Sequence, residues 1–179
     1  MFNLFKKKEP EIKVVDKIVI DESAKLKAML SQWNSNKNIV FVFWFDESLH
    51  QAETWFTGQI AGPVALFTVR EATTPQVAGK AVVFAEHYPL RRKEQELFQR
   101  LKLEEVIVFS SLKEPLFQRF GSDKIIQMMQ QLGMKDDEVM EHNMISKAIR
   151  NAQEKIEKKV LLEQLARSQE DWLNKNLPA

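Results

Sequence analysis

Chemistry on a bound phosphate needs backbone N–H groups to cradle it, a lysine to meet its charge and a hydroxyl for Mg²⁺. The sequence form is Gly-x-x-x-x-Gly-Lys-Ser/Thr. This chain comes nearest at Gly79-Lys80-Ala81, with Thr74 in place of the first glycine and Ala81 in place of the hydroxyl residue. The segment reads as a plain loop before a strand, so autonomous ATP hydrolysis is not expected. Arg91, Arg92 and Arg100 are candidates for gripping a phosphate, because a planar guanidinium can hold two oxygens at once. They lie in Arg91-Arg92-Lys93-Glu94-Gln95-Glu96, which mixes both signs as a solvated helix face does. The solvated face is the preferred reading. His50, His87 and His142 are far apart, with no His or Cys at zinc spacing, so no metal is expected. Ser48, Ser110 and Ser111 lack the Gly-x-Ser-x-Gly context of an activated nucleophile. Ser48 with Gln51 three positions on reads as a capping box.

The chain that must position these groups has 179 residues, 44% of them hydrophobic, enough for one domain with a real core. There is no cysteine, which suits a reducing compartment. The formal charge of +1 provides no field for nucleic acid, and none is expected as a partner. The longest apolar run, Ile39 to Phe45, is far below the roughly 20 residues of a membrane span. At the start, Lys6-Lys7-Lys8 follows the apolar stub Met1-Phe-Asn-Leu-Phe5, the reverse of a signal peptide's order. A cytoplasmic protein is expected. The stub and its lysines offer at most a weak contact to an anionic membrane surface, at about 1 kcal/mol per lysine.

Residues 1–13 read as a flexible basic tail. Val14 to Ile20 is β-rich and suits an edge strand. Asp21 or Ser23 can cap a following helix that carries Leu26, Met29, Leu30 and Trp33 at helical spacing. Ile39 to Phe45 is apolar on both faces, as central parallel strands are. A helix to about Phe56 follows, then a strand over 64–69, a loop over 72–76, a strand over 80–85, a helix over 91–101 and a strand over 105–109. From Glu114 onward only helical patterns remain. Leu116, Phe117 and Phe120 mark one short helix, and Ile125, Met128, Met129 and Leu132 another, with Gly133 as its C-terminal stop. Residues 141 to about 174 form one long helix or two. The fold class implied is α/β: a mostly parallel sheet flanked by helices, with a C-terminal helical extension.

Phe120-Gly-Ser-Asp-Lys-Ile125, Met129-Gln-Gln-Leu-Gly-Met134, Glu141-His142 and Lys147-Ala-Ile-Arg-Asn-Ala-Gln-Glu-Lys155 form a continuous block. It resembles the SecA preprotein translocase ATPase family, at the place where the second nucleotide-binding domain ends and the scaffold helix begins. The resemblance is strong over 115–159. Over 17–114 it is weak, and rests on Ile39 to Phe45 with Asp46-Glu-Ser48, Glu86-His-Tyr-Pro-Leu-Arg91-Arg92 and Val106-Ile-Val-Phe-Ser-Ser-Leu112. It implies a RecA-like (P-loop NTPase-like) lobe over 14–135 and a scaffold-helix-like extension over 136–179.

The departures from the family pattern shape the expected function. Where the family has a glutamine and two Gly-Arg steps that reach the γ-phosphate, this chain has Glu96, Arg100 and Leu103, with both glycines gone. The glycine-rich stretch between the strands near 69 and 80 has collapsed to Gly79, and the first motor lobe is absent. The resemblance therefore implies a non-catalytic SecA-like interaction module, associated with protein export and needing no cofactor. Its binding surface would be the apolar stripe Met144, Ile145, Ile149, Ile156 and Val160, offered to a protein partner or a second copy. Met128, Met129, Met134, Met140 and Met144 would add an adaptable surface, or else pack in the core. Two alternatives stand beside this. One is half of a split ATPase, with Arg91, Arg92 and Arg100 meeting ATP held by a separate first lobe. The other is a regulator that binds ATP or ADP without hydrolysis.

Overall fold

The structure, a computed structural model, describes residues 10–177. The N-terminal stub and its lysines lie outside the described residues. Five parallel strands form one sheet in the order β1-β5-β4-β2-β3. They are β1 (Lys13–Val19), β2 (Ile39–Phe43), β3 (Ala65–Thr68), β4 (Ala81–Phe84) and β5 (Glu105–Ser111). All four strand pairings are parallel, each strand joined to the next through helix, the arrangement of a RecA-like α/β lobe.

β2 is buried at every position because both its faces are covered. Ile39, Phe41 and Phe43 meet Met29 of α1 (Glu22–Ser35) and Leu49, Ala52 and Phe56 of α2 (Asp46–Gln59). Val40 and Val42 face the other way, toward Val77 of α3 (Thr74–Val77) and Leu97 and Phe98 of α4 (Arg91–Arg100). Asp21 caps α1, its carboxylate accepting from the Ala24 N–H at 2.8 Å. β1 is an edge strand, paired on one side with β5. Its outer side is blunted by a single bridge, in which Ile18 and Met140 exchange N–H···O bonds of 2.9 and 2.7 Å.

Two local expectations change. Residues 72–76 are not wholly loop. Thr73-x-x-Gln76 is itself a capping-box pattern, and the Gln76 Oε1 accepts from the Thr73 N–H to start α3. Ser48 is no cap: α2 begins at Asp46, and the Ser48 hydroxyl turns instead to Glu86.

After β5 come α5 (Pro115–Gln118), α6 (Ser122–Gln131), α7 (Asn143–Glu157) and α8 (Gln169–Asn176). The C-terminal pattern is therefore two helices, and the chain folds back on itself between them. The sheet and α6 at one end, and that return at the other, cover most of the stripe expected to meet a partner. Ile149 is buried with Ile18, Ile20, Leu112 and Ile126. Ile156 and Val160 are buried with Phe45, Tyr88, Leu90 and Trp172. Ile145 is half-buried and only Met144 stands in solvent. Burying the stripe internally removes apolar surface that would otherwise need a partner.

Candidate functional site

The helix after β2 covers one face of the sheet and the helix after β4 covers the other. Adjacent strands whose helices diverge leave a crevice beyond their carboxyl ends, the place where open α/β sheets hold ligands. Here the chain fills that crevice with its own groups. Glu86, just past β4, accepts from the Trp44 N–H at 3.0 Å, the Phe45 N–H at 3.1 Å and the Ser48 hydroxyl at 2.7 Å. These donors open α2, where the helix dipole favours negative charge. A carboxylate thus sits where the local backbone is built to receive an anion. Burial pushes the Glu86 pKa up, against the opposing effects of Lys25 and the Ser48 hydrogen bond.

Beside it, buried Lys25 of α1 pairs with Glu114 at 2.8 Å and with Glu22 at 2.8 Å. Burial would lower the Lys25 pKa, but Glu114 and Glu22 outweigh it and the net shift is upward. Glu114 is pushed up to about 7, chiefly by burial, with Lys25 opposing. Its Oε1 also accepts from the Ser111 N–H at 2.9 Å, which fixes the turn from β5 into α5.

The C-terminal segment closes the crevice from above. Trp172 of α8 is fully buried against Phe45, Tyr88, Leu90 and Leu116. Its ring meets Tyr88 edge-on at 5.8 Å, and its N–H donates to Glu163 at 2.9 Å. The Tyr88 hydroxyl donates to the same Glu163 oxygen. Gln169 accepts from the Leu116 N–H at 2.7 Å and donates to the His87 carbonyl at 3.1 Å. Arg119 donates to the Leu177 carbonyl at 2.6 Å. Apolar burial and directional polar contacts both hold this cover.

A second buried constellation ties β1, the β4–α4 turn and α7 together. His87 Nε2 lies 2.7 Å from Asp16 and Nδ1 lies 2.9 Å from Glu94. Gln153 of α7 donates to Glu94 at 2.9 Å and to the Tyr88 carbonyl at 2.8 Å. Burial works against a charged His87, but Glu94 and Asp16 outweigh it and hold its pKa well above the usual value. Burial likewise works against an ionised Asp16, and His87 reverses that, so its pKa is lowered. Sequence reasoning missed this clamp, because Asp16 and His87 stand far apart in the chain and their meeting depends on sheet order.

The arginines do not converge. Arg91 and Arg100 are nine helical positions apart, roughly half a turn out of phase and about 14 Å along the axis. Arg91 is engaged by Glu11 at 2.8 Å. Arg92 is exposed at the start of α4, its backbone N–H bonded to Glu157. Arg100 lines an open hollow of about 610 Å³ with Trp44, Arg70, Lys93 and Glu96. Gly79-Lys80 lies at the amino end of the sheet, where Asn38 donates to the Gly79 carbonyl at 2.8 Å, opposite the crevice. His142 caps α7, accepting from the Met144 N–H at 3.1 Å, and His50 is on the surface beside Glu53. Among the described residues no group of three His, Cys, Asp or Glu is arranged to hold a metal. Among those residues, too, no helix is long and apolar enough to cross a membrane.

An apolar cleft of about 170 Å³ lies between α5, α6 and α7, walled by Phe117, Phe120, Ile125, Met129, Met140 and Ile145. Met129 and Met140 are therefore part of a wall, while Met128 and Met144 are exposed beyond it.

No family model matches the chain. Among curated proteins, the translocase subunit SecA of Parabacteroides distasonis is 37% identical over 83 residues, covering 44% of this chain and 7% of that protein. SecA of Oleidesulfovibrio alaskensis is 37% identical over 87 residues, covering 46% of this chain and 10% of that protein. SecA of Phocaeicola vulgatus is 29% identical over 154 residues, covering 77% of this chain and 14% of that protein. A match of that length cannot be confined to 115–159, so the likeness extends into the sheet-forming part. The chain spans only 7% to 14% of the length of these relatives. It is related to the SecA translocase subunits, and corresponds to a small part of them.

Proposed function

We propose that this chain is a non-catalytic SecA-like module that works beside protein translocation by binding another protein. The observation that carries this reading is the state of the crevice. The anion-favouring start of α2 is taken by Glu86, and the space above it by Trp172 and its neighbours. Nucleotide entry would require that cover to lift. The surface this reading offers to a protein is the apolar cleft between α5, α6 and α7, with exposed Ile125, Met128 and Met144 near it. Side chains of that kind adapt to a partner's apolar anchors.

A second reading has one observation in its favour. Arg70, Lys93 and Arg100 share the open hollow at the edge of the crevice, a place from which cations can meet a nucleotide held by another chain. Titration calorimetry with Mg-ATP and Mg-ADP separates the two. No binding heat is expected for the chain alone. Saturable binding at micromolar nucleotide would overturn the non-catalytic reading and favour a motor divided between chains.

A further inference from the structure

Methionine is concentrated in one part of the chain. Five of the seven methionines fall between positions 128 and 144, and there is no cysteine. The fold brings four of the five to the apolar cleft between α5, α6 and α7. Met129 and Met140 stand in its wall, half-buried. Met140 is also fixed there by its backbone, which exchanges two hydrogen bonds with Ile18 of β1. Met128 lies one turn along α6 from Ile125, and Met144 one turn before Ala148 on α7. Ile125 and Ala148 both line the cleft, so helical spacing puts Met128 and Met144 at its rim. They are 53% and 73% exposed, whereas Met29 under the sheet is 0% exposed.

In a chain without thiols, a solvent-facing thioether is the side chain most open to two-electron oxidation by a hydroperoxide. The sulfur gives an electron pair to one peroxide oxygen, the O–O bond breaks and an S–O bond forms. The other oxygen leaves as hydroxide and takes up a proton to become water, or an alcohol from an organic peroxide. Sulfur is oxidised by two electrons, peroxide is reduced by two, and the product is a sulfoxide. A sulfoxide oxygen is a polar acceptor that needs water or a donor. The cleft has no side chain to spare for it. Ser122 is its one polar lining residue, and that hydroxyl already donates to the Leu112 carbonyl at 2.6 Å. An oxidised rim methionine must therefore turn its oxygen to solvent, and water follows it to the mouth of the cleft.

We propose that Met128 and Met144 are sites of reversible oxidation by hydroperoxides, and that their state sets whether the cleft presents a dry apolar surface. Reduced, the two thioethers extend the apolar wall outward and adapt to what enters. Oxidised, they ring the opening with polar groups, while the fold beneath is unaltered because neither side chain is part of the core. Met129 and Met140 follow only under stronger oxidation, since the wall shields them. Sulfoxide reductases, one for each sulfoxide epimer, restore the apolar rim. The effect on a bound protein rests on the protein-binding reading above. The oxidation and the change in the cleft do not, and the test uses no partner.

The test is graded treatment of the full chain with hydrogen peroxide, followed by tryptic peptide mapping. Cleavage after Lys124, Lys135 and Lys147 puts Met128 and Met144 on separate peptides, and fragmentation resolves each from its neighbours. Met128 and Met144 should oxidise about tenfold or more faster than Met29, with Met129 and Met140 between. Circular dichroism should stay at its starting value while the first two convert. Nile red, a neutral dye that brightens on apolar surfaces, reads the cleft. Its emission should fall about threefold as the rim oxidises and recover after sulfoxide reductases A and B with a thiol reductant. Met128→Leu with Met144→Leu keeps the apolar rim without sulfur, so its dye signal should survive peroxide. Met128→Gln with Met144→Gln should show the low signal with no peroxide. Oxidation of Met29 as fast as the rim, unfolding in step with the first conversions, or a dye signal that peroxide leaves unchanged would overturn the proposal. So would an equal loss of signal in the leucine variant, which would place the sensitive groups elsewhere.

Discussion

The sharpest consequence of the buried clamp concerns His87. It has a carboxylate at each ring nitrogen, Asp16 at 2.7 Å and Glu94 at 2.9 Å. Both nitrogens can donate only in the imidazolium form. Its folded-state pKa is accordingly raised well above the ordinary 6.5, because Glu94 and Asp16 outweigh burial. A raised pKa contributes stability that is fully present below 6.5 and is lost as pH climbs through the folded value. The loss is about 1.4 kcal/mol per pH unit within that window. Asp16 sets the acid limit. Its folded pKa is lowered, so its contribution is present above the ordinary carboxylate range and is lost as pH falls through the lowered value. In His87→Gln a single amide can donate toward one carboxylate but not both, leaving the other buried and uncompensated. Breaking a buried pair from one side costs about 3–5 kcal/mol, a large share of the roughly 5–15 kcal/mol that holds a domain together. Urea unfolding followed by tryptophan fluorescence between pH 6 and 9 measures both effects. Wild-type stability should fall across the alkaline half, and His87→Gln should start lower and lack that decline. A wild-type curve flat from pH 6.5 to 9, or a variant within about 1 kcal/mol of wild type, would refute the reasoning.

Two further outcomes follow from named contacts. Trp172→Ala removes the largest fully buried side chain of the cover and leaves Glu163 without its indole donor. The expected loss is about 3–5 kcal/mol, with faster proteolysis in the loop before α8 than in the sheet, read by peptide mapping. Asp21→Ala removes the α1 cap and should lower stability by about 1 kcal/mol in the same urea assay.

What could be read in the sequence was local or periodic. The β2 run is apolar on consecutive positions and proved to be covered on both faces. Asp21 before an apolar helix pattern proved to be a cap, and Gly133 has the positive φ of a helix stop. The SecA likeness was legible because it lies in runs of adjacent residues. What escaped was set by tertiary geometry. Glu94 and Gln95 read as members of a solvated face, yet both are buried, because α7 and the N-terminal end of β1 close over α4. Ile149, Ile156 and Val160 read as an unpartnered stripe, since no local signal tells whether a helix will fold back on its own sheet. Leu161, Leu162 and Leu165 carry no local sign that they stand in solvent. The loop that carries them is tied by the Glu163 carboxylate to Trp172 and by the Gln164 N–H to Asn176, contacts that the local pattern does not show.

The buried polar groups of this lobe explain why its carboxyl edge is a closed surface. Glu86, Lys25 and Gln169 each bond a backbone or charged group from a different element, and one Glu114 oxygen is shared by Lys25 and the Ser111 N–H. Burying such groups is costly unless every partner is in place. Lifting α8 would remove Gln169 from the Leu116 N–H and the Trp172 indole from Glu163, as well as exposing Phe45, Tyr88 and Leu90 to water. The cover is therefore bound by interactions that lose most when half broken, which favours all-or-none closure over partial opening. A crevice sealed in that way suits a lobe whose work is done on an outer surface such as the cleft between α5, α6 and α7.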